Sequence, residues 1–318
     1  MKTYLLILLS SVLLGSAAAQ AQPADIRVAS YNLRMDTESD GPNAWPHRKD
    51  DVKALVRYHD FDIFGTQEGF LHQLQGLTEM PEYAYFGAGR DDGKDAGEHS
   101  AIIYKKDRFE VLDSGNFWLR ETPGTPGLGW DATCCNRIAS WVKFNDRQSG
   151  QSFYFFNVHF DHQGVVARRE SGKLMVAKIA EIAQGAPVIC TGDFNSTPDT
   201  EQIQLLSVTL QDAYTVTQQP PYGPVGTFTG FRQNAPLRDR IDYVFVSNQF
   251  TVLTYAALTD TNDQRFPSDH LPVVADVRLV TSGYFRPYPS GRPENVSGRP
   301  FLCHQYINPK CQSGIVCK

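Results

Sequence analysis

From Ile26 to about Val280 the chain is a succession of short apolar runs, several of them alternating with polar positions. Such runs, bounded by Gly, Pro, Asn and Asp, predict strands over Ile26–Leu33, Asp62–Gln67, Ser100–Tyr104, Ile138–Phe144, Phe153–Phe160, Val188–Phe194, Tyr243–Val246 and Val273–Leu279. Helical spacing is clearest in three places. Over Arg48–Tyr58 it puts Val52, Leu55 and Val56 on one face. Over Val166–Ala183 it turns Leu174, Ala177, Ile179 and Ile182 inward, and Thr200–Leu206 forms a shorter turn after Pro198. Many strands with few helices predict a layered α/β protein, two sheets packed face to face with helices outside. No repeat of 20–50 residues is visible.

The two ends depart from this pattern. Met1–Lys2, the apolar run Tyr4–Leu14 and the small residues Gly15–Ala21 have the order of a secretory signal peptide, with cleavage expected after Ala19 or Ala21. The apolar run stops short of the roughly 20 residues that a membrane span needs. Residues 22–280 then form the expected domain, exported and without a transmembrane segment. Residues 281–318 are rich in Pro, Gly and aromatics without periodicity, which predicts an irregular appendage stapled by disulfides. Asn295-Val-Ser297 is a glycosylation acceptor there.

Export changes how the six cysteines are read. Cys190 lies inside the apolar run Pro187–Thr191 and is expected as a buried thiol. Cys134, Cys135, Cys303, Cys311 and Cys317 leave room for two bridges, one of them from the Cys134/Cys135 loop to the tail. A zinc site is disfavoured, because no Cys-x-x-Cys pair is present and His304 is the sole nearby histidine.

Composition narrows the class. Of 318 residues, 41% are hydrophobic and 20% charged, too apolar for disorder, and the 25 Gly and 19 Pro show no collagen period. The net charge is −5, and setting aside Lys2 and residues 281–318, which carry five basic side chains against one acidic, leaves the central part at about −10. That balance is not the footprint of a protein that grips duplex nucleic acid.

The candidate chemistry sits where strands end. Asn32, Glu68, His159, Asp193, Asn195, Asp242, Asp269 and His270 each follow or precede an apolar run. Carboxylates and amides of this kind are oxygen ligands for a hard divalent cation, and two histidines with carboxylate partners suit phosphate. Singly, each has a plain structural reading: Gly192-Asp-Phe-Asn195 as a turn, Ser268-Asp-His270 as a cap, Glu68 as a surface charge. As an ordered set they do not.

That set, Asn32, Gln67-Glu68, Asn157-Val-His159, Gly192-Asp-Phe-Asn195, Arg240-Ile-Asp242-Tyr and Ser268-Asp-His270, resembles the endonuclease/exonuclease/phosphatase superfamily over about residues 26–280. Asn43-Ala-Trp45, Gly89-Arg-Asp-Asp-Gly93, Gly97-Glu98, Asn116-Phe-Trp118-Leu and Gly129-Trp-Asp131 are similar to a bacterial-type subgroup of undefined substrate. The resemblance implies a four-layer sandwich of two mixed or antiparallel sheets flanked by helices, with the site at one mouth. It implies Mg²⁺ or Mn²⁺ on Glu68, with Asn32 beside it and Asp269 touching a metal. Asp193 would activate the attacking water, and Asn195 would hold that water or a phosphate oxygen. His270 would pair with Asp242, His159 would meet the phosphate with Glu98 behind it, and Arg137 would contact phosphate. Arg168-Arg169 read either as a phosphate contact or as a solvated face.

The implied reaction is metal-assisted hydrolysis of a phosphoric ester, with a small or single-stranded phosphodiester favoured. A phosphomonoester and a sphingomyelin-like phospholipid are the alternatives, and a non-catalytic secreted module stands further off. Asn195-Ser-Thr197 also fits the glycosylation pattern but is expected unmodified, since a glycan there would block the site.

Overall fold

Apolar alternation is converted into two paired sheets in the computed structural model, which describes residues 24–280. The leader expected over 1–21 and the tail expected over 281–318 lie outside the described residues. In chain order the elements are β1 (Asp25–Asn32), α1 (Trp45–Tyr58), β2 (Ile63–Gln67), α2 (Leu71–Leu77), β3 (Tyr83–Phe86), β4 (Ile102–Lys105) and β5 (Phe109–Trp118). There follow β6 (Ile138–Asp146), β7 (Gln151–His159), α3 (Val165–Ala183), β8 (Val188–Asp193), α4 (Glu201–Thr209) and β9 (Gln211–Asp212). The last are α5 (Ala213–Val216), β10 (Asp242–Val246), β11 (Phe250–Ala257) and β12 (Val273–Leu279). One six-stranded sheet has the order β11-β12-β1-β2-β4-β3, the other β5-β6-β7-β8-β10-β9.

Three apolar layers hold the sheets and helices together. Between the sheets, Val28, Ile63 and Ile102 meet Val142, Phe144 and Phe155. Outside the first sheet, Tyr31 and Phe64 pack under Val52 and Leu55 of α1 and Leu74 of α2. Outside the second, Phe156, Val158 and Cys190 pack under Met175 and Ile179 of α3 and Leu206 of α4. The result is the expected four-layer α/β sandwich. Among the described residues, no helix is long and apolar enough to cross a membrane.

Each sheet contains one parallel pair, β1 with β2 and β7 with β8. Parallel strands end at the same edge, so Asn32 stands beside Gln67 in one sheet and His159 beside Asp193 in the other. β10 runs antiparallel to β8, and its first residue, Asp242, is paired with the last residue of β8, Asp193. A buried amide links the two edges. Asn157 Nδ2 donates to the carbonyls of Thr66 (2.8 Å) and Ala101 (2.9 Å), while its Oδ1 accepts from Gln67 Nε2 (2.7 Å) and Thr191 Oγ1 (3.1 Å).

Several expectations are corrected. The inward face of α3 is Ala167, Ser171, Gly172, Met175, Ile179 and Ala183; Ala177 is exposed, and Leu174 and Ile182 are half-buried. Gly172 explains the rotation, because α4 lies so close that a Cβ there would come within 2.6 Å of Gln202 Cβ. The sequence pattern does not mark β3, β5, β9, β11, α2 or α5, and the turn after Pro198 is a helix running to Thr209. Cys190 is a free, buried thiol as expected. Cys134, however, is paired with Cys135, which leaves neither sulfur for a bridge from this loop to the tail.

The inter-sheet link generates a prediction. A Cβ on Gly65 would fall 2.2 Å from both Asn157 Oδ1 and Thr191 Oγ1. Gly65→Ala is therefore expected to destabilise the fold by about 1–3 kcal/mol, the usual range for overpacking, in urea denaturation. An unchanged midpoint would mean that the amide link is not under this constraint.

Candidate active site

The strand ends converge on a cleft of about 370 Å³. Glu68, Glu98, Arg137, His159, Asp193, Asn195, Asp269 and His270 all line it, and Asn32 and Asp242 lie buried immediately behind. All ten residues expected at the site are thus brought together. Arg168 and Arg169 do not line the cleft. Arg168 instead donates to the carbonyl of Asp161, and Arg169 pairs with Glu170.

Asn32 is fully buried at the end of β1, and its Nδ2 donates to Glu68 Oε1 and Asp193 Oδ2, both at 3.0 Å. It therefore spans the two sheets and holds two carboxylates toward one point. Its Oδ1 accepts from the Arg34 amide at 2.9 Å. Glu68 follows β2 with φ of 64°, a left-handed conformation uncommon for a non-glycine residue and typical of functional sites. That turn, with Met35 N–H donating to Oε2 at 3.2 Å, carries the carboxylate into the cleft. Asn195 has the same handedness, with φ of 46°, at the end of Gly192-Asp-Phe-Asn195.

Two imidazoles flank Asp193. His270 Nε2 lies 3.7 Å and His159 Nε2 3.5 Å from Asp193 Oδ2. His270 Nδ1 is 2.9 Å from Asp242 Oδ2, which also accepts from the Thr227 hydroxyl at 2.6 Å. Asp242 Oδ1 is buried without a partner. Burial opposes charge on His270, but Asp242 and Asp193 outweigh it and hold its pKa well above the ordinary histidine value. His159 differs. Burial and the cation of Arg137 push it well below, and its Nε2 faces the Nδ2 of Asn195 at 3.2 Å, so it sits as a neutral acceptor. Its Nδ1 is 3.9 Å from Glu98, whose carboxylate is held by Arg90 Nη1 at 2.6 Å.

Asp193 is 1% exposed, and burial together with Asp242 raises it to about 7. Burial also raises Asp269 and Glu98. Glu68 goes the other way: burial opposes its ionisation, but His270 and the Asn32 hydrogen bond lower it. Arg137, 6% exposed, reaches His162 Nδ1 at 2.8 Å, and its Nη1 has no partner. Asn195 Nδ2 donates to the Phe160 carbonyl at 3.1 Å.

Oxygen donors crowd one side of the cleft. Ligand atoms of Glu68, His159 and Asp193 lie within 4.8 Å of one another, as do those of Asp193, Asp242 and His270. Adjacent buried carboxylates, one with an unpartnered oxygen, are a donor set suited to a hard divalent cation. Sequence reasoning missed Arg34 and Thr227. Arg34 forks onto Asp40 at 2.9 Å and lies 3.7 Å from Glu68 and 3.9 Å from Asp269. Its position two residues after Asn32 was the available signal. Thr227, in a loop between α5 and β10, offered none.

Residues 29–270 match the Endonuclease/Exonuclease/phosphatase family, and the chain belongs to it. A crystal structure of a family protein from Bacteroides thetaiotaomicron is 43% identical, with a TM-score of 0.78 over 81% of this chain and 99% of that one. A mannosyl-6-phosphatase from the same species is 44% identical, with a TM-score of 0.76 over 79% of this chain and 99% of that one. An uncharacterized protein of Acanthamoeba polyphaga mimivirus is 27% identical over 48% of this chain, and the chain spans 59% of that protein's length. The protein is accordingly an enzyme of a phosphoester-hydrolysing family.

The electrostatics can be checked without a substrate. Asp193 titrates near 7 when folded against about 4 when unfolded. The native state therefore holds the extra proton across that window, and stability falls as pH rises through it. The raised His270 contributes stability that is complete below its unfolded value and lost as pH climbs through its folded one. Asp193 acts between about pH 4 and 7 and His270 from about pH 6.5 upward, so the two effects have the same sign and follow one another. Metal-free protein should therefore lose unfolding free energy as pH is raised from about 4 through neutrality into the alkaline range, with Asp193 responsible for the part below about 7. Asp193→Asn removes one of these groups and a charge supporting the other, so its slope should be shallower; equal slopes would contradict this.

Proposed function

We propose that the protein hydrolyses small phosphoric esters, with a phosphomonoester of a sugar as the substrate class, in a reaction that depends on Mg²⁺ or Mn²⁺. The observation that carries the reading is Asp193, buried between two imidazoles and tied through Asn32 to Glu68. The sequence favoured a diester. Three guanidiniums line the cleft, Arg34 paired with Asp40, Arg90 paired with Glu98, and Arg137, and a terminal phosphate offers an additional anionic oxygen for them. The likeness to a mannosyl-6-phosphatase supports the same choice.

With its carboxyl poised near neutrality, Asp193 is matched to accept a proton from the attacking water. His270, kept cationic by Asp242, faces the phosphate oxygens and stabilises the charge that grows there. Neutral His159 and Asn195, bonded to each other, fix the opposite wall, with Arg137 beyond them. Glu68 and Asp269, with Asn32 between Glu68 and Asp193, are the residues that would hold the cation. Such an ion supplies charge neutralisation at the non-bridging and leaving oxygens.

The order of residues 1–21, basic then apolar then small, supports export with a cleaved leader. A disulfide-bonded, glycosylated tail over 281–318 belongs to the same reading.

Turnover of p-nitrophenyl phosphate, bis-p-nitrophenyl phosphate, mannose 6-phosphate, sphingomyelin and single-stranded DNA, each with Mg²⁺ and with chelator, tests the reading. The sugar monoester should be fastest and chelator should abolish turnover. Preference for the diesters would overturn the substrate assignment, and activity surviving chelator would overturn the metal. Asp193→Asn should lose more than about 100-fold in rate, the scale of a positioned proton acceptor. A loss of a few-fold would remove Asp193 from that role.

A further inference from the structure

The segment Asn43-Ala-Trp45 stands out in the sequence but touches none of the chemistry above. Its place in the fold is as the cradle of Arg48, one turn into α1. Arg48 is 3% exposed, and its guanidinium donates to four main-chain carbonyls from three separate stretches of chain. Nε donates to Asn43 (2.8 Å), Nη2 to Arg34 (2.7 Å), and Nη1 to both Leu33 and Pro267 (3.1 Å for the latter). The plane lies between two rings, Trp45 at 5.1 Å and Phe231 at 5.7 Å from the guanidinium carbon. Among the described residues it makes no ion pair with a carboxylate.

The partners explain the use. Leu33 and Arg34 follow Asn32, the residue that holds Glu68 and Asp193. Pro267 precedes Ser268-Asp269-His270. Phe231 lies in the loop whose Thr229 and Gly230 amides donate to the Asp269 carbonyl at 2.7 and 3.1 Å. One buried cation therefore fastens the Asn32 side of the cleft to the Asp269-His270 side, helped by the Ser268 hydroxyl donating to the Asn32 carbonyl at 2.6 Å. Carbonyl dipoles and aromatic faces, not a counter-charge, offset the burial. Only a planar fork can reach acceptors on three stretches at once; a lysine is a single point charge on a flexible stem.

We propose that Arg48 is a positioning residue, setting the separation between the Glu68–Asn32–Asp193 group and the Asp269–His270 group. This rests on the hydrolytic reading for its effect on rate, but not for its effect on metal affinity. Arg108 provides the control. It too is buried, at 9% exposed, and holds Asp62 and Asp146 at the opposite end of the strands, so its loss weakens the fold without moving the cleft.

The experiment compares Arg48→Lys with Arg108→Lys by thermal melting, kcat and KM on the best ester, and Mn²⁺ affinity by electron paramagnetic resonance. Both variants should melt earlier. Arg48→Lys alone should lose about 10–100-fold in kcat, the scale of a misplacement near 1 Å, with KM changed less and Mn²⁺ bound several-fold more weakly. Equal kcat losses in the two variants, or wild-type kcat and Mn²⁺ affinity in Arg48→Lys, would overturn the proposal. If Arg48→Lys does not fold, Trp45→Leu, which removes one face of the cradle, should show the same split. If the wild type turns over no ester, the hydrolytic reading fails, and Mn²⁺ affinity still decides the role of Arg48.

Discussion

Carboxylates repel, and this fold buries four of them, besides Glu98, around one cleft. Glu68, Asp193, Asp242 and Asp269 come from two sheets and three strand ends, and each is less than a sixth exposed at its side chain. Their mutual repulsion in a poorly solvated place is the constraint that the surrounding structure answers. Asn32 donates to two of them, Thr227 and His270 serve Asp242, and Arg34 stands over Glu68 and Asp269. Even so, Asp193 holds its proton up to about 7. Protein groups alone leave the cluster short of positive charge, the situation a divalent cation relieves.

The sheets make the crowding unavoidable. Parallel pairing of β1 with β2 and of β7 with β8 sends four strand ends to the same edge, and the antiparallel β10 returns Asp242 to that edge beside Asp193. Asn157, bonded across both sheets, prevents the edges from sliding apart. Helices stay outside, where Gly172 allows α4 to lie close against α3. The chemistry is thus carried on strand ends, with Arg48 bonded to the two loops that complete it.

Much of this was legible beforehand because polar residues at Asn32, Glu68, His159, Asp193 and Asp242 interrupt or terminate apolar runs, where packing alone would place Val or Ile. Two sheets face to face with helices outside suited the number of such runs, and the four-layer sandwich was what the family resemblance implied. What escaped did so for identifiable reasons. β5 carries a bulge between Val111 and Asp113 that breaks the alternation, and β11 is apolar with too little alternation to separate it from loop. The buried face of α3 was misjudged because Gly172 and Ser171 carry no hydrophobic signal, yet they face α4 or the core. Arg48 and Arg34 were not singled out, since only tertiary carbonyls and carboxylates give them a role. The pairing of Cys134 with its neighbour has no signature in spacing.

The central claim is that the oxygen cluster beside Glu68 is built to hold a cation. Crystals equilibrated with Mn²⁺, with diffraction recorded above the manganese absorption edge, address it directly. An anomalous peak within bonding reach of a Glu68 carboxylate oxygen is the expected result. A well-occupied peak elsewhere, with none beside Glu68, would contradict it.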